Sequence, residues 1–212
     1  MAKQTINIGT SANDGTGSTL REAFDITNDN FTELYDGTGG LLHKIEGTNF
    51  TGSLLIGHST TGTLSSAEYN TGIGIAALDA LTSGDQNVAI GFAAGGLLQS
   101  GSNNIVIGFG AGDALTTGSG NVAIGTQALS TEDTHGKNVA VGYQTLFALN
   151  AGADAYNVAV GYQAGTVIST GLENTIIGGK ALDALTTGHL NVAVGYESLS
   201  TEDTGSRNTA VG

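Results

Sequence analysis

Hydrophobic and polar positions along this chain fall into a short, phased pattern. The motif Asn-x-Ala-Ile/Val-Gly begins at Asn70, Asn87, Asn104, Asn121, Asn138, Asn157, Asn174, Asn191 and Asn208, and a degenerate first copy runs Ser53-Leu54-Leu55-Ile56-Gly57. Successive copies lie 17 residues apart, except for one step of 19 between Asn138 and Asn157. A fixed period marks a repeat architecture, and 17 residues is too short for a helical hairpin, which needs about 33. The triplets inside the motif, such as Val88-Ala89-Ile90, are rich in the β-branched residues that suit strands. Glycine then permits a turn with positive φ. A second apolar stretch follows, as in Ala77-Leu78 with Leu81, and a glycine near the fifteenth place (Gly84, Gly101, Gly118, Gly171, Gly188, Gly205) turns the chain back. The pattern predicts an all-β fold, a parallel β-roll or solenoid over residues 53–212, with two short strands and two turns in each coil. At about 4.8 Å per coil, ten coils make a rod of roughly 45–50 Å. The two extra residues of the long step are expected as a bulged turn near Ala153-Asp154-Ala155-Tyr156.

Alternation within the triplets adds a consequence. Val88 and Ile90 face one way and Ala89 the other, yet both directions are apolar, and a strand apolar on both faces is buried on both. One face can line the roll; the other needs a partner. Val88, Ile90, Ile105, Ile107, Val122, Ile124, Val139, Val141, Val158, Val160, Val192 and Val194 are therefore the candidate roll core or inter-chain interface.

A longer period overlies the short one: Asp113-Ala114-Leu115-Thr116-Thr117-Gly118 recurs as Asp183-Ala184-Leu185-Thr186-Thr187-Gly188, and Glu132-Asp133 as Glu202-Asp203. Four units thus read as a duplicated block, which suits growth of a rod better than an evolved pocket. Composition narrows the field further. Among 212 residues there are 35 glycines, no proline and no cysteine, which removes disulfides and thiolate chemistry. Six basic against 19 acidic residues, a net charge of −13, argue against nucleic-acid partners. No apolar run is long enough to span a membrane, and Met1-Ala2-Lys3-Gln4-Thr5 opens no apolar signal segment.

The units Asn138-Val139-Ala140-Val141-Gly142-Tyr143-Gln144 and Asn157-Val158-Ala159-Val160-Gly161-Tyr162-Gln163 resemble the head repeats of YadA-like trimeric autotransporter adhesins, which also occur in phage tail fibres. The resemblance covers residues 53–212 and implies a left-handed roll packed as a homotrimer. A second resemblance lies in Ile6-Asn7-Ile8-Gly9-Thr10, then Leu20-Arg21-Glu22-Ala23-Phe24 and Asn28-Asp29-Asn30-Phe31, similar to a segment of tailed-phage structural and tail-fibre proteins. The adhesins would begin with a signal peptide and end in a membrane-anchoring barrel, and neither is found here, which moves the expectation from a bacterial surface to a virion.

Residues 1–36 read physically as strand, glycine loop and helix. Thr19 and Glu22 form a capping box. Leu20, Phe24, Thr27, Phe31 and Leu34, spaced 4, 3, 4 and 3, make the seam of a short coiled coil. A helix of about 16 residues is marginal alone, so self-association or docking is expected of it. Residues 37–52 read as a linker.

Chemical candidates are few. His43, His58, His135 and His189 show no metal-ligand spacing and read as isolated surface residues. Gly179-Lys180-Ala181 fails the phosphate-loop pattern, and the calcium-binding nonapeptide of other β-rolls is missing. Glu132-Asp133 and Glu202-Asp203 read as solvated turns in preference to a weak cation site. The motif asparagines are expected to stack into a hydrogen-bonded ladder. Phe92, Phe109, Tyr143, Tyr162 and Tyr196 each follow a motif glycine and form a candidate aromatic stripe, either packed at a corner or between chains, or exposed to sugars or another protein. The paired threonines Thr116-Thr117 and Thr186-Thr187 raise an ice-binding surface, but most coils lack the array. Asn30 and Asn49 match the glycosylation sequon, which matters only on secretion.

The sequence thus leads to a non-enzymatic virion fibre protein with no cofactor: residues 1–36 attach to tail, baseplate, neck or capsid proteins, and the trimeric roll supports host recognition. An adhesin whose roll binds the host cell surface directly is the rival, and a polysaccharide-degrading tailspike is weaker for want of clustered carboxylates. An uncapped coil at Gly212 leads to the expectation of more chain or a docked protein there.

Overall fold

The computed structural model describes residues 43–44, 53–56 and 66–212. They fall into two units divided after Lys44. The first contributes only the two-residue strand β1 (His43–Lys44). The expected helix with Leu20, Phe24, Thr27, Phe31 and Leu34, and the rest of the expected linker, lie outside the described residues.

The second unit is a β-solenoid. Its strands are β2 (Leu54–Ile56), β3 (Thr71–Ile73), β4 (Val88–Ile90), β5 (Ile105–Ile107), β6 (Val122–Ile124), β7 (Val139–Val141), β8 (Val158–Val160), β9 (Thr175–Ile177), β10 (Val192–Val194) and β11 (Thr209–Val211). Each pairs in parallel with its sequence neighbours, and like positions face one another: Val88 opposite Ile105, Ala89 opposite Val106, Ile90 opposite Ile107. The 17-residue period is therefore one coil.

The wall opposite the sheet differs from the expectation of a second strand. It is a stack of turns in which left-handed residues alternate with right-handed ones, as at Ala76 (φ 58°) and Leu78 (φ 56°), or Gln144 (φ 49°) and Leu146 (φ 49°). Such conformations cost a non-glycine residue roughly 1–2 kcal/mol each. They are offset because the turns bond coil to coil much as strands do: Leu78 N–H donates to Ala94 C=O at 3.1 Å, and Ala80 N–H to Gly96 C=O at 3.1 Å. The leucine at the second left-handed place is also fully buried in four coils, Leu78, Leu129, Leu146 and Leu182.

The core between the two walls is narrow. From the sheet it takes the middle residue of each triplet, Ala89, Val106, Ala123, Ala140, Ala159, Ile176 and Ala193. From the turns it takes a column of alanines and leucines, including Leu81, Leu98, Leu115, Leu149, Ile168 and Leu185. Volumes trade across the gap. Where the sheet contributes Val106, the turns on either side contribute Gly95 and Gly112, and a β-carbon on either would press on Val106 at 3.1 and 2.8 Å. A β-carbon on Gly165 would likewise press on Ile176 at 2.9 Å. Close-packed interiors tolerate no extra methylene without strain.

Of the two places left open for them, Val88, Ile90, Ile105, Ile107, Val122, Ile124, Val139, Val141, Val158, Val160, Val192 and Val194 occupy the outer one. All are half-buried or exposed on the sheet's outward face. The roll core reading of these twelve is corrected for a steric reason: the 17-residue coil leaves room inside for one mostly small side chain per strand.

The asparagine ladder sits at the corner entering the sheet. Asn104 Nδ2 donates to Asn87 Oδ1 at 3.1 Å and to Gly118 C=O at 2.9 Å, while its Oδ1 accepts Asn121 N–H at 2.9 Å. All eight asparagines from Asn70 to Asn191 are fully buried. At the 19-residue coil the register loosens: Asn138 Nδ2 turns to Gly136 C=O at 3.2 Å, and Asn157 N–H reaches Asn138 Oδ1 at 3.3 Å.

Candidate functional site

Three exposed corners and one buried acid carry the polar and aromatic chemistry of the roll. The first corner follows the motif glycine, whose φ near 130° swings the next residue outward. Phe92, Phe109, Tyr143, Tyr162 and Tyr196 all stand there, between 42 and 69% exposed, so within one chain the stripe is not packed away. The rings stack in pairs at 5.4 Å between centroids, Phe92 on Phe109 and Tyr143 on Tyr162, with planes 13° and 9° apart. Thr126 interrupts the row between the pairs, and Gly179 between Tyr162 and Tyr196. Tyr196 leans over Gly179, where a β-carbon would lie 3.4 Å from its ring. A hydrogen bond to the Glu197 carboxylate raises the Tyr196 phenol above its ordinary pKa.

Beside the rings runs a glutamine ladder that the sequence reading missed. Gln144 Nε2 donates to Gln127 Oε1 at 3.0 Å, and Gln163 Nε2 to Gln144 Oε1 at 3.1 Å. Like residues at 17- and 19-residue spacing were its available signal.

The second corner precedes each asparagine, and its side chains cap the backbone of the coil before. Asp85 Oδ1 accepts Glu68 N–H at 2.8 Å, Ser102 Oγ accepts Asp85 N–H at 2.9 Å, and His189 Nδ1 accepts Leu172 N–H at 2.9 Å. His189 is thus a surface histidine as expected, but a structural acceptor and not an isolated one. In the 19-residue coil Asp154 takes this role for Gly136 N–H at 3.1 Å and also binds Lys137 Nζ at 2.7 Å. Lys137 in turn reaches the Tyr156 hydroxyl at 2.9 Å. The Lys137 contact holds the Asp154 carboxyl below its ordinary pKa, and Asp154 with Tyr156 holds the Lys137 ammonium above its own.

The threonine corner is occupied with structure. Thr82, Thr116 and Thr186 hydroxyls donate to carbonyls of the next coil at 2.9 to 3.0 Å, so these hydroxyls are spent on the ladder.

Glu132 corrects the solvated-turn reading. It is fully buried at the place held by Leu115 in the coil before and Leu149 in the coil after. Its two oxygens accept His135 N–H at 3.1 Å and Ala151 N–H at 3.0 Å, and the His135 ring lies 3.5 Å away. Glu132, Asp133 and His135 bring ligand atoms within 4.8 Å of one another, the one such trio among the described residues, with both Glu132 oxygens already engaged. Burial raises the Glu132 pKa against the two N–H donors, which lower it. A carboxyl whose folded pKa exceeds its unfolded one destabilises the fold when ionised. Stability contributed here is therefore full below the ordinary carboxylate value and is lost as pH rises through the raised folded pKa. Urea midpoints measured from pH 4 to 8 should fall more steeply with pH for the native chain than for Glu132→Gln. Parallel curves would refute this role.

Similarity adds nothing to this geometry: no family model, curated protein or solved structure matches the chain.

Proposed function

We propose that the chain is a non-enzymatic structural protein whose roll forms the shaft of a homotrimeric virion fibre, attached through residues 1–36 and supporting host recognition. One observation carries the self-association. The outward face of the sheet holds Val, Ile and Thr at the first and third strand positions from β3 to β11, with no charged residue among them, on a chain of net charge −13. Copies of so acidic a chain repel one another, and a face free of charge and rich in apolar side chains is where that repulsion is least and burial gains most. The ladders of asparagine, glutamine and backbone along the rod suit a stiff spacer. The virion assignment rests on the sequence resemblances of the N-terminal segment and the repeats.

Light scattering on the purified chain should give about three times 21.1 kDa. Ile90→Asp with Ile124→Asp, both outside the core, should give a folded monomer. A monomeric native chain would overturn the shaft. Deletion of residues 1–36 should abolish incorporation into particles and leave the trimer intact; incorporation without them would overturn the attachment role.

A further inference from the structure

We propose that the aromatic corner carries a carbohydrate-binding slot between Phe109 and Tyr143, shaped for a neutral pyranose. The row of rings is closed within each pair by stacking at 5.4 Å. Thr126 lies between the pairs, so the Phe109 face turned away from Phe92 and the Tyr143 face turned away from Tyr162 meet no ring among the described residues. Two coil steps separate these walls, about 9.6 Å at about 4.8 Å per step. Carbon contacts take roughly 3.5–4.0 Å on each side. About 2 Å is left for the guest's own thickness, which suits a puckered saturated ring better than a flat one.

Polar groups lie on this coil and the one before it. Thr126 is exposed, and its hydroxyl makes no hydrogen bond among the described residues. Gln127 gives its Oε1 to Gln144, which leaves its Nε2 donors unused. In the coil before, Gly110 has no side chain, and a β-carbon there would lie 3.6 Å from Asp113 Oδ2 and 3.8 Å from Gln127 Cγ. The Asp113 carboxylate thus presents Oδ2 to that gap, while its Oδ1 is buried without a hydrogen-bond partner. Apolar walls for the C–H faces of a sugar, an amide donor and a carboxylate acceptor for its hydroxyls make the mixed lining that small-ligand sites use. A net charge of −13 disfavours acidic sugars and leaves neutral ones.

This goes beyond the shaft reading and uses a different surface from the charge-free sheet face. Saturation-transfer NMR tests it on the full chain, with irradiation of the aromatic protons and maltohexaose, cellohexaose and chitohexaose as probes. Transfer to pyranose ring protons is expected for at least one probe. Thr126→Tyr continues the ring row into the slot; it should keep or raise the thermal midpoint while cutting the transfer at least fivefold. Phe109→Ala with Tyr143→Ala, which removes the walls, should lose it as well, and Gln127→Ala should weaken it severalfold. Absence of transfer from all three probes, or undiminished transfer in Thr126→Tyr, overturns the slot. The scattering mass is read separately, so failure of the slot and failure of the shaft are told apart.

Discussion

Gly125→Ala should cost the roll about 3 kcal/mol or more and shift its urea midpoint accordingly. Gly125 sits at φ 134°, a region almost closed to residues with a β-carbon, and a β-carbon there would collide with the carbonyl oxygen of Gly142 in the next coil. The obstruction is backbone, held in place by its own ladder bonds: Gly142 N–H donates to Ile124 C=O at 2.7 Å. Relief would require the coils to separate, which breaks bonds on both sides of the sheet. Two other glycines calibrate the effect. Gly120 (φ 71°) would meet only Lys137 Cγ, at 3.8 Å, so Gly120→Ala should cost about 1–2 kcal/mol from backbone conformation alone. Gly152 has nothing within 4 Å, and Gly152→Ala should be close to neutral. Equal losses at all three positions would show that stacking is not what demands the glycine.

Much of this architecture was legible from the chain because each coil repeats one steric problem. The triplet before Gly125 marks β6, and the asparagine before it marks a buried ladder, since an amide can donate to the coil before and accept from the coil after. What the sequence hid follows from the same repetition. Leu78, Leu129 and Leu146 adopt left-handed φ, which a leucine gives no hint of; the ladder bonds between turns and the burial of their side chains hold them there. The direction of the sheet faces was ambiguous because Val88 and Ala89 are both apolar, although the pairing of Val106 with Gly95 and Gly112 contained the answer in side-chain volume. Glu132 was readable too. Set in phase with Leu81, Leu98, Leu115 and Leu149, it falls in a column of core leucines, whereas beside Asp133 it looks like part of an acidic turn.

Asn104→Ala should be the second severe substitution, lowering stability by about 3–5 kcal/mol in urea unfolding. Removing the amide leaves Asn121 N–H without the Asn104 Oδ1 that it meets at 2.9 Å, and Gly118 C=O without the Nδ2 donor at 2.9 Å. Both groups belong to the buried corner, and each unsatisfied buried group costs roughly 1–3 kcal/mol. Asn87 Oδ1 suffers less, because it still accepts the Asn104 backbone N–H at 3.0 Å. Asn104→Asp should be at least as damaging, since it keeps the acceptor for Asn121, loses both donors and brings a charge into the corner. Asn208 supplies the internal control: it is only half-buried, and its N–H meets Asn191 Oδ1 at 2.9 Å without need of its own side chain. Asn208→Ala should therefore cost a fraction of the loss at Asn104. Similar losses at the two positions would mean that the asparagines act through local turn preference, and that the ladder along the rod contributes little.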